Sequence, residues 1–241
     1  HWGWDSHGQD KGESLRYSFV ERCQQTDQAT AALITDLKQR GLLEDTFIFY
    51  FGDHGGVLPG SKGYAYESGL HVPLVIRVPK NWRHLVAWQA GSRVKGFVSF
   101  IDFGPTLLHL ADLNVPEQVD GRPFLGRRIT ASDVDSRDEA FGYADRFDEK
   151  YDLVRTLRKG KYEYVRSYQP FNFDGLWNNY RYKMLAYRQW SELHRAGKLN
   201  AVQSRFFKRR EPEALYDVQA DPRRVCNGRG DPDRQFHLPS S

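Results

Sequence analysis

The chain has 241 residues, 39% of them hydrophobic and 27% charged, which is enough to bury a sizeable core in one large domain or in one and a half small ones. That composition excludes a disordered chain, and no run of about 18 apolar residues offers a membrane-spanning helix. With 35 basic against 31 acidic residues the formal charge is only +4, too mild to imply nucleic acid as a partner yet compatible with an anionic substrate.

The chain opens on His1-Trp2-Gly3, with neither an initiator Met nor a signal peptide, and is expected to begin inside a longer protein. Its first stretch, HWGWDSHGQDKGES, is polar, aromatic and glycine-bearing, and is predicted to be a loop that carries His7. From about Tyr17 to Arg40, Phe19, Cys23, Thr26, Thr30, Leu33 and Leu37 recur at steps of four and three, which predicts one face of a helix. Cys23 is expected there as a small buried apolar residue. Gly41 is placed to stop the helix. The other cysteine, Cys226, lies far away, and no Cys/His spacing suggests zinc.

Two apolar runs, Thr46–Phe51 and Val72–Val78, then flank a polar, glycine-rich loop holding Asp53, His54 and Lys62. Short apolar runs bounded by Gly and Pro read as strands buried on both faces, as in a parallel sheet. Asp53 would then fall just past the carboxyl end of a strand, where open α/β sheets place ligands. A carboxylate, an imidazole and an ammonium gathered there point to a metal site beside an anionic substrate. Residues 80–94 are irregular, with Trp82 and Trp88 expected to pack on the strand before them. FVSFIDFGPTLLHLADL predicts a short strand and then a helix entered at Gly104-Pro105. Asp102 is expected to bond backbone N–H groups at that helix start, and His109 to pack.

From about Glu139 the pattern changes. Val154–Arg158 and Lys161–Val165 read as strands joined through Lys159-Gly160, a hairpin signal. Tyr180–Gly197 reads as a helix with Met184, Tyr187, Trp190 and Leu193 among its apolar residues. Lys208-Arg209-Arg210 reads as a solvated face, and the polar end beyond Pro222 as frayed.

Asp53-His54-Gly55, Ser61-Lys62-Gly63, Tyr66-Glu67-Ser68-Gly69 and Val72-Pro73-Leu74, in that order, resemble the second half of a sulfatase active site, in the alkaline-phosphatase-like superfamily. The likeness continues in the join Gly41-Leu42-Leu43-Glu44-Asp45-Thr46, in Ser99, Asp102 and Pro105–Leu108, in Asp120–Leu125, and in Glu213–Val218 with Asp221-Pro222. It runs roughly from Tyr17 to Pro222, while Trp4-Asp5-Ser6-His7-Gly8 resembles an uncharacterised bacterial family of the same superfamily. The resemblance implies an α/β fold: part of an alkaline-phosphatase-like parallel-sheet sandwich, plus a small C-terminal antiparallel sheet with a helix. It implies a partial α/β domain over residues 1–138, a C-terminal subdomain over 139–222 and an atypical tail over 223–241.

By the same resemblance Asp53 is a ligand of a divalent metal, Ca2+ in the first instance with Mg2+ as the alternative, and His54 is a ligand or near neighbour. Lys62 would reach a sulfate oxygen or the leaving oxygen. His7 would contact substrate, by position and not by a shared motif. His71 stands where many sulfatases have Arg, and would orient Glu67 or touch substrate. The family's Cys/Ser-x-Pro-x-Arg nucleophile motif is not found around Cys23, Cys226 or any serine, nor are the paired aspartates that complete the metal site. The expectation is therefore a sulfuric ester hydrolase carrying half a site, acting on a sulfated small molecule or sulfated glycan, periplasmic or extracellular. A catalytically inactive metal- and anion-binding protein, and a phosphoesterase of the same superfamily, are the alternatives.

Overall fold

The computed structural model describes residues 13–56 and 58–221. In chain order its helices and strands are α1 (Glu13–Gln39), β1 (Ile48–Phe51), α2 (Glu67–Leu70), β2 (Leu74–Arg77), α3 (Phe103–Leu110), α4 (Ala131–Asp135), β3 (Glu139–Phe147), β4 (Lys150–Lys159), β5 (Tyr162–Ser167), α5 (Leu185–Arg195), α6 (Ala201–Ser204) and β6 (Glu213–Asp217). They fall into two compact units, one of residues 13–51 with 73–140, the other of 52–72 with 141–221.

The first unit holds α1, β1, β2, α3 and α4. Gly41, at φ 71°, ends α1 as the sequence requires, with Leu42 N–H donating to Leu37 O at 2.9 Å and Gly41 N–H to Lys38 O at 3.1 Å. From Cys23 onward the predicted face of α1 is not buried: Cys23 is exposed and Leu33 is 50% exposed. Two of the six residues of that stripe are threonines, and Thr26 and Thr30 spend their hydroxyls on carbonyls four residues back rather than on a core.

β1 and β2 form where the apolar runs stand, but they pair antiparallel, Ile48 opposite Arg77 and Phe51 opposite Leu74, against the parallel arrangement expected. The loop between them leaves and returns at the same end of the strands, so the second strand runs back along the first. Apolar composition alone does not encode that direction. Tyr50, Phe51 and Val75 are also exposed, so these strands are not buried on both faces. Arg77 ties β2 to the preceding Leu-Glu turn, bonding Leu43 O at 2.7 Å and Glu44 Oε1 at 3.0 Å.

The core of this unit is Phe124, Leu125 and Val134 with Phe49, Ile76, Trp88 and Phe103 against them. Trp88 packs as expected, whereas Trp82 is 40% exposed. No strand forms ahead of α3; a short 3-10 turn over Phe100–Asp102 leads into it. Buried Asp102 accepts from Ser99 N–H at 2.9 Å and Arg122 N–H at 2.8 Å, the backbone role expected of it. His109 packs, with Nδ1 3.2 Å from Leu125 O.

In the second unit β3, β4, β5 and β6 lie side by side in that order, with β4–β5 and β5–β6 antiparallel. Lys159 pairs with Tyr162 across the two-residue turn at Gly160, whose φ of 53° suits glycine. The small antiparallel sheet with a helix is thus present, and β3 extends it by a strand that was not expected. The long helix expected from Tyr180 is broken at Met184, at ψ 136°, into a 3-10 turn (Arg181–Lys183) and α5. Tyr182, Met184, Tyr187 and Phe206 form a core with Tyr64, and Val154, Val165 and Ala214 form another with Ala65. Arg210 is not solvated as expected: it turns inward and pairs with Asp152 at 2.5 Å and Asp174 at 3.0 Å.

Among the described residues no helix is long and apolar enough to cross a membrane.

Candidate functional site

The loop from Gly52 to Val72 follows β1 and carries Asp53, His54 and Lys62, and it packs with the C-terminal residues in one unit. Its glycines explain its sequence. At Gly55 a Cβ would lie 1.9 Å from Ser68 O and 2.2 Å from Ser61 Oγ, because the two arms of the loop cross there. Gly55 N–H donates to Gly69 O at 3.0 Å and Ser61 Oγ to Ser68 O at 2.7 Å, which joins the Asp-His-Gly, Ser-Lys-Gly and Tyr-Glu-Ser-Gly segments in one knot. Gly63, at φ 77°, leaves room for the Arg181 guanidinium and the Phe147 ring.

The knot is sewn to the sheet and helices of its unit by the residues that follow. Tyr64 and Ala65 are buried, and Tyr64 donates to Asp174 O at 2.8 Å. Tyr66 donates to the Asp174 carboxylate, 3.0 and 2.9 Å from its two oxygens. Burial, and then the Asp174 charge, hold the Tyr66 hydroxyl well above its usual pKa, so it stays a donor. Glu67 pairs with Arg158 at 3.2 Å and with His71 Nδ1 at 2.8 Å. The Glu67 hydrogen bond raises the His71 pKa above its ordinary 6.5. His71 thus contacts Glu67, one of the two roles weighed for it. Beneath lies a buried ion cluster: Lys150 Nζ sits 3.2 Å from Asp152, and its burial brings its pKa down to about 8.

Asp53 projects into solvent, its side chain 75% exposed, while that of His54 is 31% exposed. His54 Nδ1 lies 2.7 Å from Gly55 O, a carbonyl that can only accept, so Nδ1 carries a proton. The other ring nitrogen, Nε2, then faces Asp53 Oδ2 at 3.3 Å. Two lone pairs opposed at that distance are relieved by a shared proton or by a cation. A hard carboxylate oxygen and an oriented imidazole therefore fit the chemistry of a divalent ion. The donor set is short: among the described residues no cluster of three or more His, Cys, Asp or Glu gathers to hold a metal.

Lys62 stands on the same loop, half-buried, with Nζ donating to Tyr180 Oη at 3.1 Å. Sequence reasoning did not single out Tyr180 or its neighbour Arg181, and no local signal marks a contact spanning 118 residues. The loop thus brings Asp53, His54 and Lys62 into one unit, with Asp53 against His54; His7 lies outside the described residues.

The sulfatase family model matches residues 5–113 of this chain. An ulvan-active sulfatase of Formosa agariphila is 34% identical over 213 residues, covering 88% of this chain and 34% of that protein. Arylsulfatase K of Bos taurus is 31% identical over 117 residues, covering 47% of this chain and 20% of its own length. The chain therefore spans about a third or less of these curated relatives. The solved structure of BT4656 in complex with its substrate D-glucosamine-2-N,6-O-disulfate superposes with a TM-score of 0.54, at 22% identity, over 86% of this chain and 34% of that one. That likeness bears on the fold.

Proposed function

We propose, from the premise that this chain belongs to the sulfatase family of the alkaline-phosphatase-like superfamily, that it supplies the metal- and sulfate-binding half of a sulfuric ester hydrolase site. The observation that carries the reading is the knotted loop, which holds a carboxylate and an imidazole against each other and an ammonium on the same rigid scaffold. Asp53 and His54 would hold a divalent cation, Ca2+ or alternatively Mg2+, which when bound would draw charge from sulfuryl oxygens. Lys62 would donate to a sulfate oxygen or to the leaving oxygen, acting where negative charge grows. His7 is proposed as a second substrate contact on family likeness alone. A sulfated glycan or sulfated small molecule is the proposed substrate class, supported by a relative named as an ulvan-active sulfatase. Export to the periplasm or the cell exterior is proposed by family.

One sequence observation favours a second reading. The Cys/Ser-x-Pro-x-Arg nucleophile motif does not occur in these 241 residues, so the chain by itself would bind metal and anion without turnover. The test is hydrolysis of matched aryl sulfate and aryl phosphate esters with added Ca2+, by the chain and by Asp53→Ala. Sulfate turnover lost in Asp53→Ala supports the hydrolase and rules out the inactive reading. Faster phosphate turnover supports the phosphoesterase alternative. Metal-dependent binding without turnover supports the half-site reading.

A further inference from the structure

Lys62 is mounted on a mobile four-carbon stem, yet its ammonium is met by a residue 118 positions later. We propose that Tyr180 is a positioning residue for Lys62, and that Arg181 fixes the backbone from which Lys62 projects. The proposal rests on the reading of Lys62 as the anion contact.

Two adjacent residues grip two adjacent residues. Tyr180 Oη accepts from Lys62 Nζ at 3.1 Å, and the ammonium lies 5.1 Å from the Tyr180 ring centroid. The next residue, Arg181, donates from Nη2 to the carbonyl of Gly63 at 2.7 Å. Tyr180 is itself held, edge-on against Phe147 with centroids 5.3 Å apart. Asn178, fully buried, ties this turn together, accepting from Arg181 N–H at 2.9 Å and donating to Phe147 O at 2.8 Å.

Arg181 is 1% exposed and, among the described residues, forms no carboxylate pair; its guanidinium lies between the Tyr64 ring at 4.0 Å and the Phe147 ring at 4.8 Å, with Nε and Nη1 unbonded there. Burying a charge on such terms is costly, so stability alone gives little reason for an arginine here. What it supplies is a fixed donor for the Gly63 carbonyl at a left-handed turn. An ammonium carries three N–H donors. Tyr180 takes one and leaves the others for an anion, with the direction of Lys62 set before the anion arrives.

The test uses the full chain and limiting acetic anhydride, with acetylation at each lysine read by mass spectrometry. In Tyr180→Phe, which keeps the ring against Phe147, the labelling rate of Lys62 should rise about fivefold relative to the other lysines, the weight of one hydrogen bond. Unchanged Lys62 labelling in a variant that melts like the parent overturns the proposal. Should Tyr180→Phe fail to fold, Lys62→Met with 13C-labelled tyrosine decides: the Tyr180 Cζ resonance moves if the contact exists, and an unmoved resonance overturns it. Inorganic sulfate separates the two readings. If sulfate fails to protect Lys62 in the parent while Tyr180→Phe still raises its labelling, the anion reading falls and the positioning contact stands.

Discussion

Replacing Gly55 by alanine tests whether the crossing of the loop's arms is what its sequence is for. The added methyl would lie 1.9 Å from Ser68 O and 2.2 Å from Ser61 Oγ. Restoring an ordinary carbon–oxygen separation of about 3.3 Å parts the arms by more than about 1 Å. That breaks the bonds Gly55 N–H to Gly69 O and Ser61 Oγ to Ser68 O, now 3.0 and 2.7 Å. Two hydrogen bonds at about 1 kcal/mol each, with about 1–3 kcal/mol of overpacking, give a loss of about 3–5 kcal/mol. Urea denaturation of the full chain measures it, and amide exchange at Gly55 reports the local opening. Gly56→Ala is the control, since a Cβ there meets nothing within 4 Å and its φ is not left-handed. It should change stability by less than about 1 kcal/mol. If Gly55→Ala denatures with the same midpoint as Gly56→Ala, the crossing does not constrain the loop and the reasoning fails.

Tyr66→Phe removes the donor to both Asp174 oxygens, and a bond to a charged partner predicts a loss of about 1.5–3 kcal/mol in the same denaturation assay. An unaltered midpoint would contradict that. Lys150, held near 8 by burial in the folded chain against an ordinary 10.5, binds fewer protons folded than unfolded between those values. Stability should therefore rise with pH across that window, by roughly 3 kcal/mol, and Lys150→Met should flatten the rise. His71 titrates above 6.5, so the stability its Glu67 bond contributes is complete below that pH and lost as pH rises through the folded value. An NMR titration should show the His71 midpoint falling in Glu67→Gln; an unmoved midpoint would place the cause elsewhere.

The candidate site was legible in the sequence to the extent that it is local. The strand, the Asp-His-Gly and the glycine-flanked lysine all fall within a short stretch, and Gly55 and Gly69 are demanded by contacts inside that stretch. What holds the stretch was not legible. Tyr180 and Arg181 sit in a segment whose apolar spacing reads as one helix, and the break at Met184 that frees them leaves no proline or glycine behind. Strand direction was lost for a similar reason, since an apolar run specifies burial and says nothing of its neighbour's direction. The α1 stripe shows the opposite failure: helical spacing was read correctly as helix, but threonine and cysteine on a face do not force that face inward.

Lys62 and Asp53 are proposed to act together on a sulfate ester. The measurement that tests it most directly is calorimetric titration of the full chain with an aryl sulfate in the presence of Ca2+. Saturable binding that weakens about tenfold or more in Lys62→Ala, and on chelation of the metal in the parent, is the predicted result. Binding of equal strength in the parent and in Lys62→Ala, or no binding at all, would contradict it.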